Sequence, residues 1–156
     1  MTVKRAPSNG TGILSVWNDI APGVEEFYER WYMGEHFPER LGVPGFLRGR
    51  RYVAIEADRK YFTFYDLDSP DVLFSPAYLA RLNAPTAWTQ EIMKSWRDMF
   101  RTVCRRVIRI GAATGGFAAV ARWEVPVTID ARTAETVRSR LADPSIVAID
   151  VWQALD

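Results

Sequence analysis

The stretch WYMGEHFPERLGVPGFLRGRRY, residues 31–52, contains a change from helix to strand and the only histidine of the chain, His36. Upstream, residues 21–37 carry apolar side chains at helical spacing, which predicts an amphipathic helix. Gly34 indicates where the regular helix weakens, so His36 is expected in the last turn or just beyond it. A Pro-Gly turn signal and a run of strand-forming residues follow.

The flanking segments complete a β-α-β-β-α-β order over residues 12–112. Residues 12–19 (GILSVWND) alternate as a strand does, and residues 61–68 (YFTFYDLD) are predicted to pair with the strand after the Pro-Gly turn. A helix is predicted from Thr86 to Arg105, followed by a strand in residues 105–113 (RRVIRIGAA). This order predicts a ferredoxin-like α+β fold with an antiparallel sheet and helices on one face.

The tail resembles the beginning of a second copy of this pattern. Residues 140–154 align without a gap on residues 40–54, after a Gly-led strand pattern in residues 116–124 and a helical pattern in residues 133–141. We therefore expect a partial β-α-β repeat over 113–156, which is an abbreviated repeat, a truncated one, or one that a partner chain completes. Residues 1–11 are expected to be disordered. The first sheet carries apolar residues on both faces, so a second copy of the chain is its simplest cover.

Composition limits the classes of partner. The 156 residues have 48% hydrophobic content, enough for one compact domain with an appendage. Lys and Arg total 20 against 19 Asp and Glu, which disfavours binding to nucleic acid or to an anionic membrane. Cys104 is the only cysteine, so no internal disulfide forms, as suits a cytoplasmic protein. No segment approaches the roughly 18 apolar residues of a membrane span.

The motif W-Y-x-x-E-H-F-P-E-R-L-x-x-P-G-F-x-R-x-R-R-Y within this order resembles the dimeric α/β-barrel superfamily, in particular its EthD-like members. The resemblance implies a homodimer or tandem repeat in which two ferredoxin-like sheets form a barrel, with a pocket between sheet and helices. It also implies that His36 matches a histidine that faces this pocket. Members include cyclases, isomerases, dehydratases, decarboxylases, cofactor-free monooxygenases and haem enzymes, so the fold alone selects no reaction.

His36 is the leading candidate for proton transfer, because an imidazole titrates near neutral pH. The alternative is that His36 stabilises the helix C-terminus as a cap. Tyr28 and Tyr32 precede it on the same side of the helix and could donate hydrogen bonds to a developing oxyanion, while Trp31 points more to the core. Equally, these aromatic side chains could simply fill the core.

Further candidates lie on the strands. Asp66 shares a strand face with Phe64 and is either a pocket carboxylate with a raised pKa, a strand-end cap, or the partner of an arginine. Asn18 is expected to line the pocket. Arg48, Arg50 and Arg51 with Tyr52 could hold a substrate carboxylate, be solvated strand residues, or form a charge pair at the barrel edge. The predicted catalytic residues are His36, Tyr32 and Asp66, and the predicted substrate-binding residues are Asn18, Tyr28, Trp31, Arg50, Tyr52 and Phe64.

No spacing of histidine, cysteine or carboxylates indicates a metal, and the glycine-rich residues 111–116 lack a phosphate-binding pattern, so no cofactor is predicted. The sequence therefore predicts a cofactor-free, enzyme-like protein that acts by proton transfer on a hydrophobic aromatic or polyketide-like carbonyl compound. Cyclisation, isomerisation, dehydration and decarboxylation all fit, as a cofactor-independent lyase or isomerase would perform them. The alternative is a non-catalytic ligand-binding or assembly module.

Overall fold

The computed structural model describes residues 10–111, 113–124 and 131–155. These residues form two compact units, one extending to Arg105 and including Ala154 and Leu155, the other over Arg106–Gln153. The predicted domains, 12–112 and 113–156, stay a prediction. Residues 1–9 of the segment expected to be disordered lie outside the described residues, whereas the Thr11 backbone N–H donates to the Asp68 carbonyl at 3.0 Å.

The elements follow one another in the order β1 (Gly12–Ile20), α1 (Glu25–Trp31), a π-helical turn (Tyr32–His36), α2 (Phe37–Leu41), β2 (Phe46–Val53), β3 (Tyr61–Leu67), a 3₁₀ turn (Pro70–Phe74), α3 (Pro76–Asn83), α4 (Ala87–Met93), β4 (Trp96–Ile110), α5 (Ala131–Arg140) and β5 (Ile149–Ala154). Among the described residues, no helix has both the length and the apolar character needed to cross a membrane.

The strand order confirms the predicted ferredoxin-like α+β class. Within the described residues the sheet has five strands in the order β2-β3-β1-β4-β5. Strand β1 pairs antiparallel with both β3 and β4, and β2 pairs antiparallel with β3. The first four strands with their intervening helices thus form the β-α-β-β-α-β arrangement.

The two faces of this sheet differ in their partners. Leu14 and Asn18 of β1 lie on the face that packs against the helices, here called the helix face, together with Tyr61 and Tyr65 of β3. Trp17 lies on the opposite side, here called the outer face, because side chains alternate along a strand. Two clusters of buried apolar and aromatic side chains fill the space between the helix face and the helices.

The long helix predicted from Thr86 to Arg105 is wrong. Helix α4 ends at Met93, and the strand predicted at residues 105–113 begins already at Trp96. Pairing with β1 runs from Trp96 opposite Ile20 to Arg105 opposite Gly12. The backbone hydrogen bonds of this ladder and the β-branched residues toward its end outweigh an apolar spacing that also fits a helix.

The second unit contains some of the elements predicted for residues 113–156. Helix α5 and strand β5 lie where a helix and a strand were expected, and Arg106 Nε pairs with Asp150 Oδ1 at 2.7 Å. The strand predicted in residues 116–124 is wrong, since the described residues 113–124 contain no strand. This segment is rich in alanine, which is depleted in strands, and its Phe117 and Trp123 are 83% and 75% exposed. The repeat itself stays a prediction.

The sequence predicted His36 in the last turn of its helix or just beyond it, but in the structure a further helical segment follows His36. After the π-helical turn, α2 continues through Leu41. The backbone N–H of Phe37 donates to the Tyr32 carbonyl, five residues earlier. Pro38 has no N–H to offer Gly34, so the usual hydrogen bond is missing at the next position and the wider turn is accommodated there.

We predict that Gly49→Ala lowers the free energy of unfolding by about 1–3 kcal/mol. A Cβ at Gly49 would lie 2.6 Å from the Phe37 ring and 3.0 Å from Tyr65 Cδ1, so the helix that carries His36 would have to move away from the sheet. Urea unfolding measures the change. Gly116→Ala is the control, because nothing lies within 4 Å of its Cβ position. Equal stability of the two variants would show that this close approach is not required.

Candidate active site

His36 lies in the π-helical turn with its ring against two aromatic side chains. The imidazole stacks on Trp31 with ring centroids 4.5 Å apart and meets Tyr32 edge to face at 5.2 Å. Its Nδ1 is buried without a hydrogen-bond partner among the described residues. Buried polar atoms are nearly always hydrogen-bonded in native proteins, and π-helical turns are frequent at functional sites. The free Nδ1 is therefore the first mark of a site.

Burial determines the charge of His36. Loss of solvent, together with the smaller effect of the positive charge of Arg40, lowers the pKa of the imidazole to about 3. His36 is consequently neutral at neutral pH. A neutral ring fits poorly with a charged cap on a helix end, and the helix does not end there.

Two tyrosine hydroxyls meet below this turn. Tyr32 Oη and Tyr65 Oη are 3.2 Å apart, and either can be the donor. Burial raises the pKa of both hydroxyls, so both stay protonated at neutral pH. The hydrogen bond between the two hydroxyls uses one of their protons, and in the side-chain hydrogen bond between Tyr32 and Thr63, which lowers the Tyr32 pKa, the tyrosine oxygen accepts. The pair therefore keeps a proton that can be donated to a ligand oxygen.

The predicted residues Tyr28, Asn18 and Trp31 lie in the same region. Tyr28 Oη donates to Asn18 Oδ1 at 3.0 Å, and burial raises the pKa of Tyr28. Trp31 is fully buried, and its Nε1 donates to Thr89 Oγ1 of α4 at 3.1 Å. Together with Tyr32 and His36, five of the nine predicted residues thus share one region between the helices and the helix face.

Helix α4 fixes the π-helical turn from outside. Glu35 Oε1 accepts hydrogen bonds from Thr86 Oγ1 at 2.5 Å and from Thr89 Oγ1 at 3.2 Å. Thr86 is also the N-cap of α4, where its Oγ1 accepts from the Thr89 backbone N–H. Glu35, which precedes His36, is thereby directed toward α4. It is therefore not the group that orients the imidazole.

The other predicted residues lie on the outer face, away from His36. Asp66 is fully buried and forms an ion pair with Arg48, one of the alternatives that the sequence left open. Phe64 and Tyr52 stack with centroids 6.5 Å apart, and Arg50 is the register partner of Phe64. The structure therefore does not bring Asp66, Arg50, Tyr52 or Phe64 to the imidazole.

Sequence reasoning missed Arg40 and Tyr65 as members of the site. Arg40 is 8% exposed and lies one helical turn after His36. Its guanidinium carbon is 5.4 Å from the centre of the Tyr78 ring. The alternation of YFTFYDLD predicted Tyr65 on the strand face that Phe64 does not share, and this was the one signal for its position on the helix face. Nothing in the sequence distinguishes Arg40 from a solvated arginine on an amphipathic helix.

Two depressions open on the first unit near these residues. One of about 330 Å³ lies between residues 42–44 and helix α3, and one of about 360 Å³ lies between α3 and β4. The second is mostly apolar and contains Arg101, whose Nη2 donates to Tyr78 Oη at 3.3 Å. Within the described ranges, no three His, Cys, Asp or Glu side chains gather as metal ligands would.

Comparison with known proteins gives a coarse likeness in structure. The sequence matches no protein-family model, and no curated protein is significantly similar to it. Among solved structures, a mutant of SnoaB, a cofactor-independent oxygenase from Streptomyces nogalater, is similar with a TM-score of 0.42 and 12% identity. The match covers 74% of this chain and 97% of that chain. A likeness at this level concerns the broad arrangement of strands and helices and identifies no reaction.

We predict that the protein loses about 2 kcal/mol of stability between pH 7 and pH 5 through His36 alone. The folded pKa of about 3 lies below the ordinary value of 6.5, so the unfolded chain binds a proton in this window and the folded chain does not. The loss continues as the pH falls toward 3.

Urea unfolding of the wild type and of His36→Gln at both pH values measures this contribution. Because the chain has one histidine, the variant removes the whole imidazole component and leaves the carboxylates in place. A charged helix cap predicts the opposite sign, with stability gained on acidification. Equal pH dependence in the two proteins would contradict a buried neutral imidazole.

Proposed function

We propose that the first unit binds an apolar carbonyl compound at the π-helical turn, beside the half-buried His36, and that His36 transfers a proton to or from it. The observation that carries the proposal is the buried Nδ1 of His36, which has no partner among the described residues. An unpaired polar atom in such a position is costly for stability and useful for binding a ligand. The imidazole packs against the rings of Trp31 and Tyr32, and such aromatic surroundings suit a planar, hydrophobic compound.

The reaction begins at the carbon next to the carbonyl group. The neutral imidazole accepts the proton as the C–H bond breaks, and the electron pair moves onto the carbonyl oxygen to form an enolate. Without a ligand the imidazolium is strongly disfavoured, as the pKa of about 3 indicates. The enolate formed beside it supplies the compensating negative charge. Return of the proton to another atom completes an isomerisation, or loss of a leaving group completes an elimination.

The tyrosine pair supports the enolate oxygen. Tyr32 and Tyr65 remain protonated, and the proton not used between them is available to the oxygen as its charge develops. The Tyr28 hydroxyl donates its proton to Asn18, so we expect these two side chains to border the site and not to donate a hydrogen bond to the ligand. A binding module without turnover is the alternative, and it needs the same His36 contact.

A finer assignment to the EthD-like dimeric α/β barrels, with a second copy of the chain on the outer face, is part of this proposal. Support comes from the motif around His36, the strand order, and a row of aromatic side chains on the outer face. Trp17 stacks on Phe62 at 4.7 Å, and Tyr52 continues the row beyond Phe62 at 6.2 Å. Phe100, at 5.7 Å from Trp17, is 39% exposed, as an edge available to a partner would be.

We predict that the protein accelerates exchange of the acidic α-protons of 2-tetralone, an apolar aryl ketone, with D₂O. Proton NMR follows the exchange against buffer. His36→Gln should reduce the accelerated rate by about 10²–10⁴-fold, the usual contribution of a general base, because glutamine cannot take up the proton. Tyr65→Phe should reduce it less, since Tyr32 still donates.

The control for folding is the melting temperature of both variants at pH 7, which should stay close to that of the wild type. Unchanged exchange in a folded His36→Gln protein would contradict the catalytic role. Binding of the ketone without exchange by the wild type would favour the non-catalytic module.

We predict that the protein is a dimer at micromolar concentration and that Phe100→Lys makes it monomeric. A lysine at this half-exposed position adds charge to the apolar outer face and leaves the core intact. Native mass spectrometry measures the mass. Met33→Lys, at a side chain 56% exposed on the helix side, should remain dimeric. A monomeric wild type would exclude the second copy.

A further inference from the structure

Arg40 is a buried cation without an anionic partner. The residue is 8% exposed, and its Nη1 is buried without a hydrogen-bond partner. Among the described residues, its guanidinium forms no ion pair and no hydrogen bond. The acid nearest to it in sequence, Glu39, lies 3.9 Å from Arg81 instead.

A second buried arginine shows what a compensated charge looks like in the same domain. Arg51 lies above the rings of Tyr28, Tyr32 and Tyr61, and both of its terminal nitrogens donate to Glu29, at 2.6 and 2.9 Å. Arg40 has one such ring, Tyr78 at 5.4 Å, and no carboxylate. A guanidinium keeps its charge at any accessible pH, and a ring offsets only part of the cost of burying it.

The surroundings of Arg40 belong to the site described above. His36 lies one helical turn earlier, and the charge of Arg40 acts on His36, Tyr32 and Tyr65. Those are the groups that offer an unpaired Nδ1 and a spare hydroxyl proton. Arg40 thus contributes the positive charge of a site whose other members are neutral.

We infer that Arg40 binds an acidic group of the ligand, so that the compound is an apolar aromatic acid whose carboxylate pairs with the guanidinium. This inference rests on the proposed function and narrows its substrate class. A carboxylate accepts two parallel hydrogen bonds from a guanidinium, which supplies both the charge and the acceptors that Arg40 lacks.

Ligand binding then changes His36. Arg40 on the same helix is the cation that disfavours the imidazolium, and a carboxylate bound to Arg40 cancels that effect. The other titratable groups around the ring are Tyr32 on its own helix, Tyr65 of β3, which is hydrogen-bonded to Tyr32, and Glu35, which is directed toward α4. The other cation nearby, Arg51 of β2, lies 4.4 Å from the centre of the Tyr32 ring, and its charge is paired with Glu29. Binding of the acid therefore makes His36 a stronger base than it is in the protein without ligand.

The test uses the single histidine as a reporter, with 2-naphthoate as the probe and 2-naphthamide as its neutral counterpart. Proton NMR follows the His36 ring signal against pH, with and without the probe, and tryptophan fluorescence gives the affinity. We expect 2-naphthoate to bind and to raise the pKa of His36 in the wild type. In Arg40→Met we expect a higher His36 pKa than in the wild type already without the probe, no further shift on its addition, and affinity weakened at least tenfold.

Arg81→Met is the matched control, because Arg81 is on the neighbouring helix α3 with its side chain 63% exposed. It should behave as the wild type does. Arg40→Lys keeps the positive charge but cannot form two parallel hydrogen bonds with a carboxylate, so its affinity for 2-naphthoate should be intermediate. Without ligand, Arg40→Met should be at least as stable as the wild type, since it removes an uncompensated buried charge.

Equal binding of 2-naphthoate to the wild type and Arg40→Met, equal binding of the amide and the acid, or no binding of the acid to the wild type would each overturn the inference. So would a large loss of stability in Arg40→Met, because it would reveal a partner inside the protein. The two proposals can fail separately. Retention of ketone exchange by His36→Gln removes the catalytic role and leaves acid binding through Arg40 intact. Loss of Arg40-dependent binding removes acid binding and leaves the catalytic role of His36 intact.

Discussion

The placement of the site depends on the Arg51 guanidinium, which ties β2 to α1 across the core. Its pairing with Glu29 joins the two elements, and three tyrosine rings from α1, the π-helical turn and β3 surround it. Each ring contact is worth about 0.5–2 kcal/mol depending on desolvation. Because Glu29 and Tyr32 are on the same helical segment, this contact fixes the turn that carries His36 relative to the sheet.

The chain that follows Glu29 and Tyr32 carries two polar side chains, His36 and Arg40, each with a buried nitrogen that lacks a hydrogen-bond partner. The π-helical turn adds a residue to the helix ahead of Pro38, and α2 continues beyond it with Arg40 buried and His36 half-buried. Gly49 allows Phe37 to lie against β2 at a distance that no side chain would tolerate. An imidazole without a partner and a guanidinium without an acid therefore lie on consecutive turns.

The sequence predicts most of the first unit because its signals are local. Alternation in β1 and β3, the Pro-Gly turn and the aromatic spacing around Trp31 each act within a few residues. The helix proposed for Thr86–Arg105 fails because a long-range contact decides it. Trp96 and Val103 fit a helical stripe, yet they lie opposite Ile20 and Leu14 in a ladder that only the folded chain contains.

The site was predictable only in part for the same reason. His36, Tyr32, Tyr28 and Trp31 are neighbours in sequence, so one helix brings them together. Asp66 was assigned by its apolar strand neighbours, and those lie on the outer face with Arg48 as its partner. Arg40 is the reverse case. An arginine at this position of an amphipathic helix is usually solvated. Arg40 is a candidate ligand-binding residue because it is buried, and burial depends on the tertiary structure.

In our proposal, His36 and Arg40 belong to one ligand site at the π-helical turn and the start of α2. A crystal structure of the protein with 2-naphthoate tests it most directly. We expect the carboxylate on the Arg40 guanidinium, with the naphthalene ring beside His36 and Tyr32. Naphthoate in the groove lined by Tyr78 and Arg101, with water completing the hydrogen bonds of His36 and Arg40, would contradict it.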